Sequence, residues 1–318
     1  MFGPWGNDDR ADSIRIIHRA LDSGINFIDT ADVYSGGVSE EIVGEALHGR
    51  RDDVFLATKF FMPMDDELGH RGGSRRWIMQ EVENSLRRLR TDHIDLYQVH
   101  RPSPDVDVEE TLGALSDLVH QGKVRYIGSS SYSGSQIVEA QWAARERNLE
   151  RFVTEQPPYS ILVRNIEEDI LPAVQRYGMG TLTYSPLGGG WLSGRWRKDA
   201  ASAPTSRARP NARFDMSKPA NQRKLDVVEE LALLAEQSGL TLIEMAIAFV
   251  INHPGVTSAI VGPRTMEQLE SYLPAADITL SADVLDRIDE LVTPGVTINP
   301  DDNSYGQHEL VPAKRRRR

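Results

Sequence analysis

Four ionisable side chains stand at or just after the ends of apolar, strand-like segments in the first third of the chain. Asp29 and Tyr34 follow the first of these segments, Lys59 ends the second and His100 ends the third. In a parallel barrel all strands point their carboxyl ends to one face, and the active site lies on that face. We therefore expect the four side chains to converge there, although they lie far apart in the sequence.

This set of side chains suits proton transfer to a carbonyl oxygen. A tyrosine hydroxyl has a pKa near ~10, which is high for proton exchange at neutral pH, and a nearby ammonium lowers that pKa. We expect Lys59 to act on Tyr34 in this way, with Asp29 holding the lysine in place. His100 would orient the substrate oxygen by a hydrogen bond. Tyr34 would then be the general acid while a cofactor delivers a hydride.

Each of these side chains also has an interpretation without chemistry. An aspartate at a strand end often forms a turn or caps a helix, a single lysine there is usually solvated, and a single tyrosine usually packs. The placement of all four after consecutive strands favours the functional interpretation.

Apolar runs alternate with amphipathic helical stretches along nearly the whole chain. The runs predict strands at 25–28, 54–58, 94–99, 124–128, 151–154, 181–184 and 258–261. Helices are predicted at 12–22, 39–47, 74–90, 108–121, 136–147, 167–177, 225–238, 242–252, 266–273 and 282–291. Such alternation is typical of a parallel sheet covered by helices. For 318 residues, a closed eight-stranded barrel and an open doubly wound sheet both fit.

One strand of a complete barrel is unaccounted for. Seven strands are clear, and ahead of the first helix only residues 1–3 could supply the end of an eighth. Residues 202–221, rich in Pro, Ala, Ser and Arg, predict a long loop, and residues 293–311 predict a surface tail. We expect the basic run Lys314–Arg318 to be a solvated end, with a phosphate-binding tail as the alternative.

The composition narrows the class of protein. A formal net charge of -11 argues against nucleic acid as the main partner. The chain has no cysteine, which excludes disulfides, thiolate nucleophiles and cysteine-ligated zinc. No apolar run has membrane-spanning length, and the first residues lack the basic and apolar parts of a signal peptide. We expect a cytoplasmic protein without membrane insertion, and its oligomeric state is not predicted.

Several ordered motifs resemble those of one family. Residues 27–34 read Phe-Ile-Asp-Thr-Ala-Asp-Val-Tyr, and residues 95–102 read Asp-Leu-Tyr-Gln-Val-His-Arg-Pro. An Ala-Thr-Lys motif at 57–59 lies between them, and further motifs stand at 122–128, 184–187 and 261–264. Over residues 2–291 the chain is similar to the aldo-keto reductases, above all to a bacterial group that resembles the potassium-channel β subunits.

The resemblance implies a single (β/α)8 TIM-barrel domain over residues 1–318, with its core at about 2–291 and a tail at 293–318. It also implies that the usual N-terminal hairpin and most of the first barrel strand are absent, which would expose two strand edges. The implied activity is the NADPH-dependent reduction of an aldehyde or ketone to an alcohol. The implied catalytic residues are Asp29, Tyr34, Lys59 and His100.

The same resemblance implies where the cofactor binds. The chain lacks the Gly-x-Gly-x-x-Gly dinucleotide motif, but this family holds an extended nicotinamide cofactor across the barrel mouth. Arg264 favours NADPH over NADH, since a planar guanidinium suits a 2′-phosphate. Ser131 and Ser271 stand where the family commonly has asparagine. The implied contacts are Ser130 and Gln156 to the carboxamide, Tyr184 to the nicotinamide ring, Ser185, Leu187 and Gly189 to the pyrophosphate, and Gly262, Arg264 and Gln268 to the adenosine end.

Two other classes of function stay open at this stage. The chain could be an NADPH-binding regulatory subunit of a partner protein, or a different barrel enzyme such as a metal-dependent hydrolase or an aldolase using Lys59 as a Schiff base. The histidines show neither His-x-His nor His-Glu-x-x-His spacing, so no metal site is expected. The carbonyl substrate is not identified by the sequence. Trp77, Trp191 and Trp196 are candidates for the walls of its pocket, and surface packing is the alternative for Trp77, which lies in a predicted helix.

Overall fold

Seven parallel strands, each followed by helical structure, form a nearly closed barrel of the (β/α)8 type in a computed structural model that describes residues 2–198 and 212–303. Neighbouring strands in the sheet are also neighbours in sequence, so the order within the described residues runs from β1 to β7. The predicted fold class and the count of seven clear strands are confirmed. The strands are β1 (Phe27–Asp29), β2 (Phe55–Phe60), β3 (Ile94–Val99), β4 (Val124–Ser130), β5 (Thr154–Gln156), β6 (Gly180–Tyr184) and β7 (Ser258–Ile260).

Ten α-helices occupy the outside of the barrel in the described residues. Polar caps begin most of them: Ser133 and Thr241, for example, each form a capping box with the residue three positions later, which satisfies two free N–H groups at the helix start. The helices are α1 (Arg10–Asp22), α2 (Val38–Ala46), α3 (Arg75–Leu89), α4 (Val108–His120), α5 (Gly134–Arg147), α6 (Ile170–Arg176), α7 (Pro219–Gln237), α8 (Leu242–Ile251), α9 (Met266–Tyr272) and α10 (Ala282–Leu291).

Several element boundaries differ from the predictions by a few residues, and two of the differences involve polar segments. Helix α7 begins at Pro219, inside the predicted loop, because proline suits the first helical position and the buried Asn221 and Lys224 anchor the first turns by polar contacts. Strand β5 lies at 154–156 instead of 151–154, so its paired residues include the polar Glu155 and Gln156. In both cases a polar segment takes a structured position that hydrophobic periodicity does not signal.

The barrel interior has an apolar layer below a polar one. Side chains of a strand alternate between its two faces, so residues two apart share a face. Ala57 and Leu96 form the lower layer with Leu182, and the residues two positions later on β2 and β3 are Lys59 and Gln98. The polar layer therefore lies at the carboxyl end of the barrel, where the catalytic face of such barrels is found.

Strands β1 and β7 are not paired with each other in the described residues. Both are half-buried along their whole length, unlike β2 and β3, which are mostly buried. Residues 2–7 form a tight turn closed by a bridge between Phe2 and Asn7 and packed on Ser35, so they do not extend the sheet. The expected exposure of two strand edges follows from this geometry.

The three tryptophans considered as pocket walls are core residues. Trp77 is buried and stacks on His70, with ring centroids 5.1 Å apart. Trp191 and Trp196 are buried and stack with centroids 3.9 Å apart, and the Lys224 ammonium lies 4.4 Å from the centroid of Trp191. The pocket-wall interpretation is wrong for these residues, because their rings are covered by protein.

The segment after α10 packs back on the barrel as far as it is described. Residues 300–302 form a short 3₁₀ turn, and Asp302 binds the buried ammonium of Lys224 at 2.6 Å. Residues 202–211 of the predicted loop and 304–318, including Lys314–Arg318, lie outside the described residues. No single helix of the described part is long and apolar enough to cross a membrane, and only Pro219–Gln237 with Leu242–Ile251, bent by 93°, reaches that length and composition jointly.

Candidate active site

A buried ion pair lies at the centre of the polar layer. The Lys59 ammonium donates to a carboxylate oxygen of Asp29, and it also donates to the carbonyl oxygen of Thr30 at 2.9 Å. The two charged side chains are 1% and 6% exposed, respectively. Burial alone would lower the pKa of Lys59, but Asp29 and Tyr34 outweigh burial and raise that pKa. The lysine therefore stays a cation at neutral pH.

Tyr34 and His100 complete the group of four that the sequence predicts. Tyr34 follows β1 in a short 3₁₀ turn, and its ring centroid lies 5.2 Å from the Lys59 Nζ. The His100 ring meets the Tyr34 ring edge to face, with centroids 5.7 Å apart. The structure thus brings all four side chains together at the carboxyl end of the barrel.

The pKa of Tyr34 differs from the sequence-based expectation. Burial raises this pKa above its ordinary value, Lys59 opposes the rise, and the Asp29 carboxylate adds to it. Lys59 therefore acts in the expected direction, but the expected net lowering of the pKa is wrong, because the phenol is taken out of water and the Asp29 carboxylate opposes Lys59. The Tyr34 hydroxyl is consequently protonated throughout the neutral range and can serve as a proton donor.

His100 is a neutral, buried imidazole. Burial lowers its pKa well below the ordinary value, and the cations Lys59 and Arg101 lower it further. Its Nδ1 atom is buried and has no hydrogen-bond partner among the described residues. A neutral ring has one N–H to donate, which is what orienting a carbonyl oxygen requires.

Two glutamine amides hold Asp29 from the far side of the barrel. Gln98 Nε2 donates to Asp29 Oδ1 at 3.1 Å, and Gln156 Nε2 donates to the same oxygen at 2.9 Å. Gln156 Nε2 also donates to Gln98 Oε1 at 3.1 Å. Sequence reasoning missed Gln98, although its place two residues before His100 puts both side chains on the same face of the strand. Because Gln156 uses its amide N–H groups here, it would meet a carboxamide through its Oε1.

The turn after β4 carries the other predicted carboxamide ligand. Ser130 Oγ donates to the carbonyl oxygen of Gln156 at 2.8 Å. Its proton is therefore used within the protein, and the oxygen can act only as a hydrogen-bond acceptor towards a ligand. Ser131 has a positive φ of 62°, accepts from Arg101 Nη1 at 3.0 Å, and lies 3.4 Å from the Tyr184 hydroxyl. Tyr184 itself is half-buried at the end of β6.

The turn after β6 contains Ser185, Leu187 and Gly189, the residues predicted to meet a pyrophosphate. Ser185 and Gly189 have φ values of 61° and 70°, so the chain turns sharply there. A Cβ atom at Gly189 would lie 3.4 Å from the guanidinium of Arg213, which stands against this turn. Glycine therefore gives both the left-handed conformation and the room beside a cation.

The predicted adenosine-end residues follow β7. The Gln268 side chain accepts from the backbone N–H of Arg264 at 2.8 Å, which fixes the loop before α9. Gly262 is exposed, and Arg264 is half-buried with no salt bridge to a carboxylate among the described residues. Arg195 and Arg264 both act on the pKa of Tyr272, which burial raises, so the two guanidinium groups lie near the same part of the mouth.

A buried network that sequence reasoning missed joins α2, the helix that follows the Tyr34 turn, to α3 and β2. Arg88 on α3 binds Glu40 through Nε at 2.6 Å and Glu81 through Nη2 at 2.5 Å. Glu40 in turn accepts from the Thr58 hydroxyl next to Lys59. These charges come from residues that read as ordinary helix-surface residues in the sequence. The network ties α2 and α3 to β2 at the level of the site.

The described residues contain no group of three or more His, Cys, Asp or Glu side chains arranged to hold a metal ion.

Comparison with known proteins gives consistent relatives across the chain. A sequence profile described as the Aldo/keto reductase family matches residues 1–293. Two relatives come from Bacillus subtilis (strain 168). "Uncharacterized oxidoreductase YrpG" is 37% identical over 294 residues, and the match covers 89% of this chain and 87% of the relative. "Aldo-keto reductase YhdN" is 38% identical over 282 residues, and the match covers 88% of this chain and 83% of the relative. "Probable voltage-gated potassium channel subunit beta" of Arabidopsis thaliana is 33% identical over 305 residues, covering 92% of each chain.

Proposed function

Since this chain belongs to the aldo/keto reductase family of oxidoreductases, we propose that it reduces an aldehyde or ketone to the alcohol with NADPH. The observation that carries the proposal is the buried Lys59–Asp29 ion pair beside the protonated Tyr34 hydroxyl and the neutral His100. This arrangement offers a proton donor, a fixed positive charge and a hydrogen-bond donor around one point, as carbonyl reduction requires.

Each side chain has a separate part in the proposed reaction. NADPH, when bound, supplies the hydride. Tyr34 gives its proton to the carbonyl oxygen, and His100 orients that oxygen with its N–H. The Lys59 ammonium offsets the negative charge left on Tyr34, which burial would otherwise disfavour. Asp29 holds the ammonium in place and is itself held by the two glutamine amides.

The residues at the mouth fit a dinucleotide rich in phosphate. Arg213 stands against the glycine turn after β6, and Arg195 lies 3.8 Å from the point where a Cβ of Gly190 would be. With Arg264 they bring local positive charge to a chain whose net charge is -11. The half-buried ring of Tyr184 offers a face for stacking. We propose that Ser130 and Gln156 contact the carboxamide and that Ser185, Leu187, Gly189, Gly262 and Gln268 contact the rest of the cofactor.

The direct test is oxidation of NADPH, followed by absorbance, with an activated aromatic aldehyde as substrate. We expect turnover that depends on both the protein and the aldehyde. Circular dichroism on the same sample checks that the chain is folded. A folded chain that binds NADPH and does not turn over any of a panel of aldehydes and ketones would contradict the reductase.

A second candidate function is an NADPH-binding regulatory subunit. The similarity to proteins named as potassium channel β subunits favours it. Such a role needs cofactor binding and a protein partner but no turnover. The intact set of Asp29, Tyr34, Lys59 and His100 favours the enzyme. The cytoplasmic location, the single domain over residues 1–318 and the small-molecule partner without nucleic acid stay predictions.

Replacing Arg264 should reveal the preference between the two nicotinamide cofactors. We expect Arg264→Ala to weaken NADPH binding by about 10-fold or more and NADH binding by about twofold at most, because a charge-assisted bond to phosphate is lost. The measurement is a fluorescence titration of each cofactor. Arg287→Ala on α10, where Arg287 is exposed and paired with Glu290, is the matched control. An equal loss for both cofactors would contradict a contact with the 2′-phosphate.

A further inference from the structure

Glu155 is a buried carboxylate that the proposed chemistry does not use. It lies on β5, one residue before Gln156, and its side chain is 0% exposed. Its Oε1 accepts from the backbone N–H of Tyr132 at 3.1 Å, and its Oε2 accepts from the Ser129 hydroxyl at 2.5 Å. Both donors belong to the end of β4 and the turn that follows. The carboxylate therefore binds both ends of the turn at residues 129–132, and we call these two hydrogen bonds the clasp.

That turn needs to be held. Ser131 lies in the left-handed region, which costs free energy for a residue with a Cβ. Its backbone N–H donates to the carbonyl oxygen of Gln156 at 3.2 Å, and Ser130 Oγ donates to the same oxygen at 2.8 Å. The two serines are thus fixed to β5 next to Glu155. Loosening the bonds to Glu155 would free the residues on either side of the two serines, Ser129 and Tyr132, and leave the serines held by the Gln156 carbonyl oxygen alone on the β5 side.

The strength of these hydrogen bonds depends on whether Glu155 is ionised. Burial raises the pKa of Glu155 to about 7, against the opposing effect of the bonds from Ser129 and Tyr132 and of the more distant charge of Arg101. Arg101, from the turn after β3, also binds Ser131 Oγ and the carbonyl oxygen of His100. The contacts from β4 and its turn are uncharged. Bonds to a carboxylate are roughly twice as strong as bonds to a neutral carboxyl group, so the clasp is tighter when Glu155 is ionised.

We propose that Glu155 is a positioning residue for the nicotinamide end of the cofactor, acting through the turn at residues 129–132 and not through contact with the ligand. Ionised Glu155 keeps Ser130 and Ser131 in the conformation that receives the carboxamide, and its protonation lets the turn relax. The inference rests on the proposed function, because it assumes that a nicotinamide cofactor binds beside this turn.

The sign of the pH effect follows from linkage. If the cofactor binds the turn as the carboxylate holds it, binding is tightest above pH 7 and weakens as Glu155 takes up a proton. The apparent dissociation constant scales inversely with the fraction of chains whose turn is in the binding conformation. We expect wild-type affinity to rise by about 5- to 10-fold between roughly pH 6 and 8.5.

The experiment compares wild type, Glu155→Gln and Glu167→Gln by fluorescence titration with NADPH from pH 5.5 to 9. Glutamine keeps the shape and one acceptor but cannot ionise. Glu167 is the control, since it too accepts from a backbone N–H, that of Gly295, and from a hydroxyl, that of Tyr159, but on the segment that binds residues 295–297. It also pairs with Arg164, so its variant reports what the loss of a buried carboxylate away from the turn does to binding. Repeating the series with NADH removes the titration of the 2′-phosphate, which has a pKa near ~6.

We expect Glu155→Gln to bind like wild type near pH 6 and about 5- to 10-fold more weakly at pH 8.5, with a flat NADH profile. Glu167→Gln should follow the wild-type profile. The KM for cofactor should change and kcat should not. A merely structural role would lower the unfolding midpoint without flattening the profile, and that result would overturn the inference.

The titrations separate the positioning role of Glu155 from the proposed function. If folded wild type binds neither cofactor, the proposed function and the positioning role are both contradicted. If wild type binds NADPH and NADH but Glu155→Gln shows the same pH dependence, only the positioning role falls. Should Glu155→Gln fail to fold, wild type alone decides, because a flat NADH affinity between pH 6 and 8.5 would overturn the role of Glu155.

Discussion

Tyr34→Phe is expected to lower kcat by about 10²- to 10⁴-fold while changing NADPH affinity by about twofold at most. The substitution removes the hydroxyl and keeps the ring, so the edge-to-face contact with His100 and the contact with Lys59 persist. The proton donor is lost, together with the bond between the Tyr34 hydroxyl and Lys59. Steady-state NADPH oxidation gives kcat, and a fluorescence titration gives the affinity.

Tyr126→Phe is the matched control for this prediction. Tyr126 lies on β4 and stacks with Phe55, at the end of the strands away from the polar layer, and it is 52% exposed. Its variant should keep wild-type kcat. Because burial raises the pKa of Tyr34, wild-type kcat for reduction should stay level through the neutral range instead of falling there. A Tyr34→Phe enzyme that keeps more than about a tenth of wild-type kcat would contradict the assignment of Tyr34 as general acid.

The sequence was sufficient to place the four central side chains because strand ends in a parallel barrel converge by topology. Asp29, Lys59 and His100 each stand at the end of an apolar run, and such runs are what hydrophobic patterning detects. The topology therefore assigns these three side chains to one face of the barrel from the sequence alone. The distances between them, and the fact that Lys59 is shared by Asp29 and Tyr34, depend on packing across the sheet.

Hydrophobic patterning does not show which residues support the four central side chains. Gln98 and Gln156 are polar residues inside the barrel, and patterning treats a polar residue as exposed. Because Glu155 and Gln156 are polar, the fifth strand was predicted to start three residues and to end two residues too early. Glu40, paired with Arg88 in the core, looks in the sequence like a residue on a solvated helix face. Partners of buried charges come from distant segments, so a single sequence does not reveal them.

The sign of the pKa shift of Tyr34 also cannot be predicted from the sequence alone. A lysine next to a tyrosine suggests a lowered pKa when only the pair is considered. In the folded chain the phenol is also desolvated and faces the field of Asp29, and the sum is a raised pKa. The sign of the shift depends on burial and on a third charge, which become known only with the structure.

Breaking the buried ion pair should destabilise the fold as well as the reaction. We expect Lys59→Met to lower the free energy of unfolding by about 3–5 kcal/mol at neutral pH, because it leaves the Asp29 carboxylate buried without a counter-charge. Lys59 is 1% exposed and also binds the Thr30 carbonyl oxygen, so the substitution leaves that oxygen without its buried donor as well. Urea denaturation followed by circular dichroism measures the loss.

Removing both charges separates the structural part of the pair from its chemical part. The double variant Asp29→Asn, Lys59→Met should recover most of the lost stability, since asparagine can still accept from Gln98 and Gln156 through its carbonyl oxygen. It should remain as inactive as Lys59→Met alone, because no cation is left to offset charge on Tyr34. A stable double variant that regained turnover would mean that the pair serves the fold only, and Tyr34 would then have to be activated by another group.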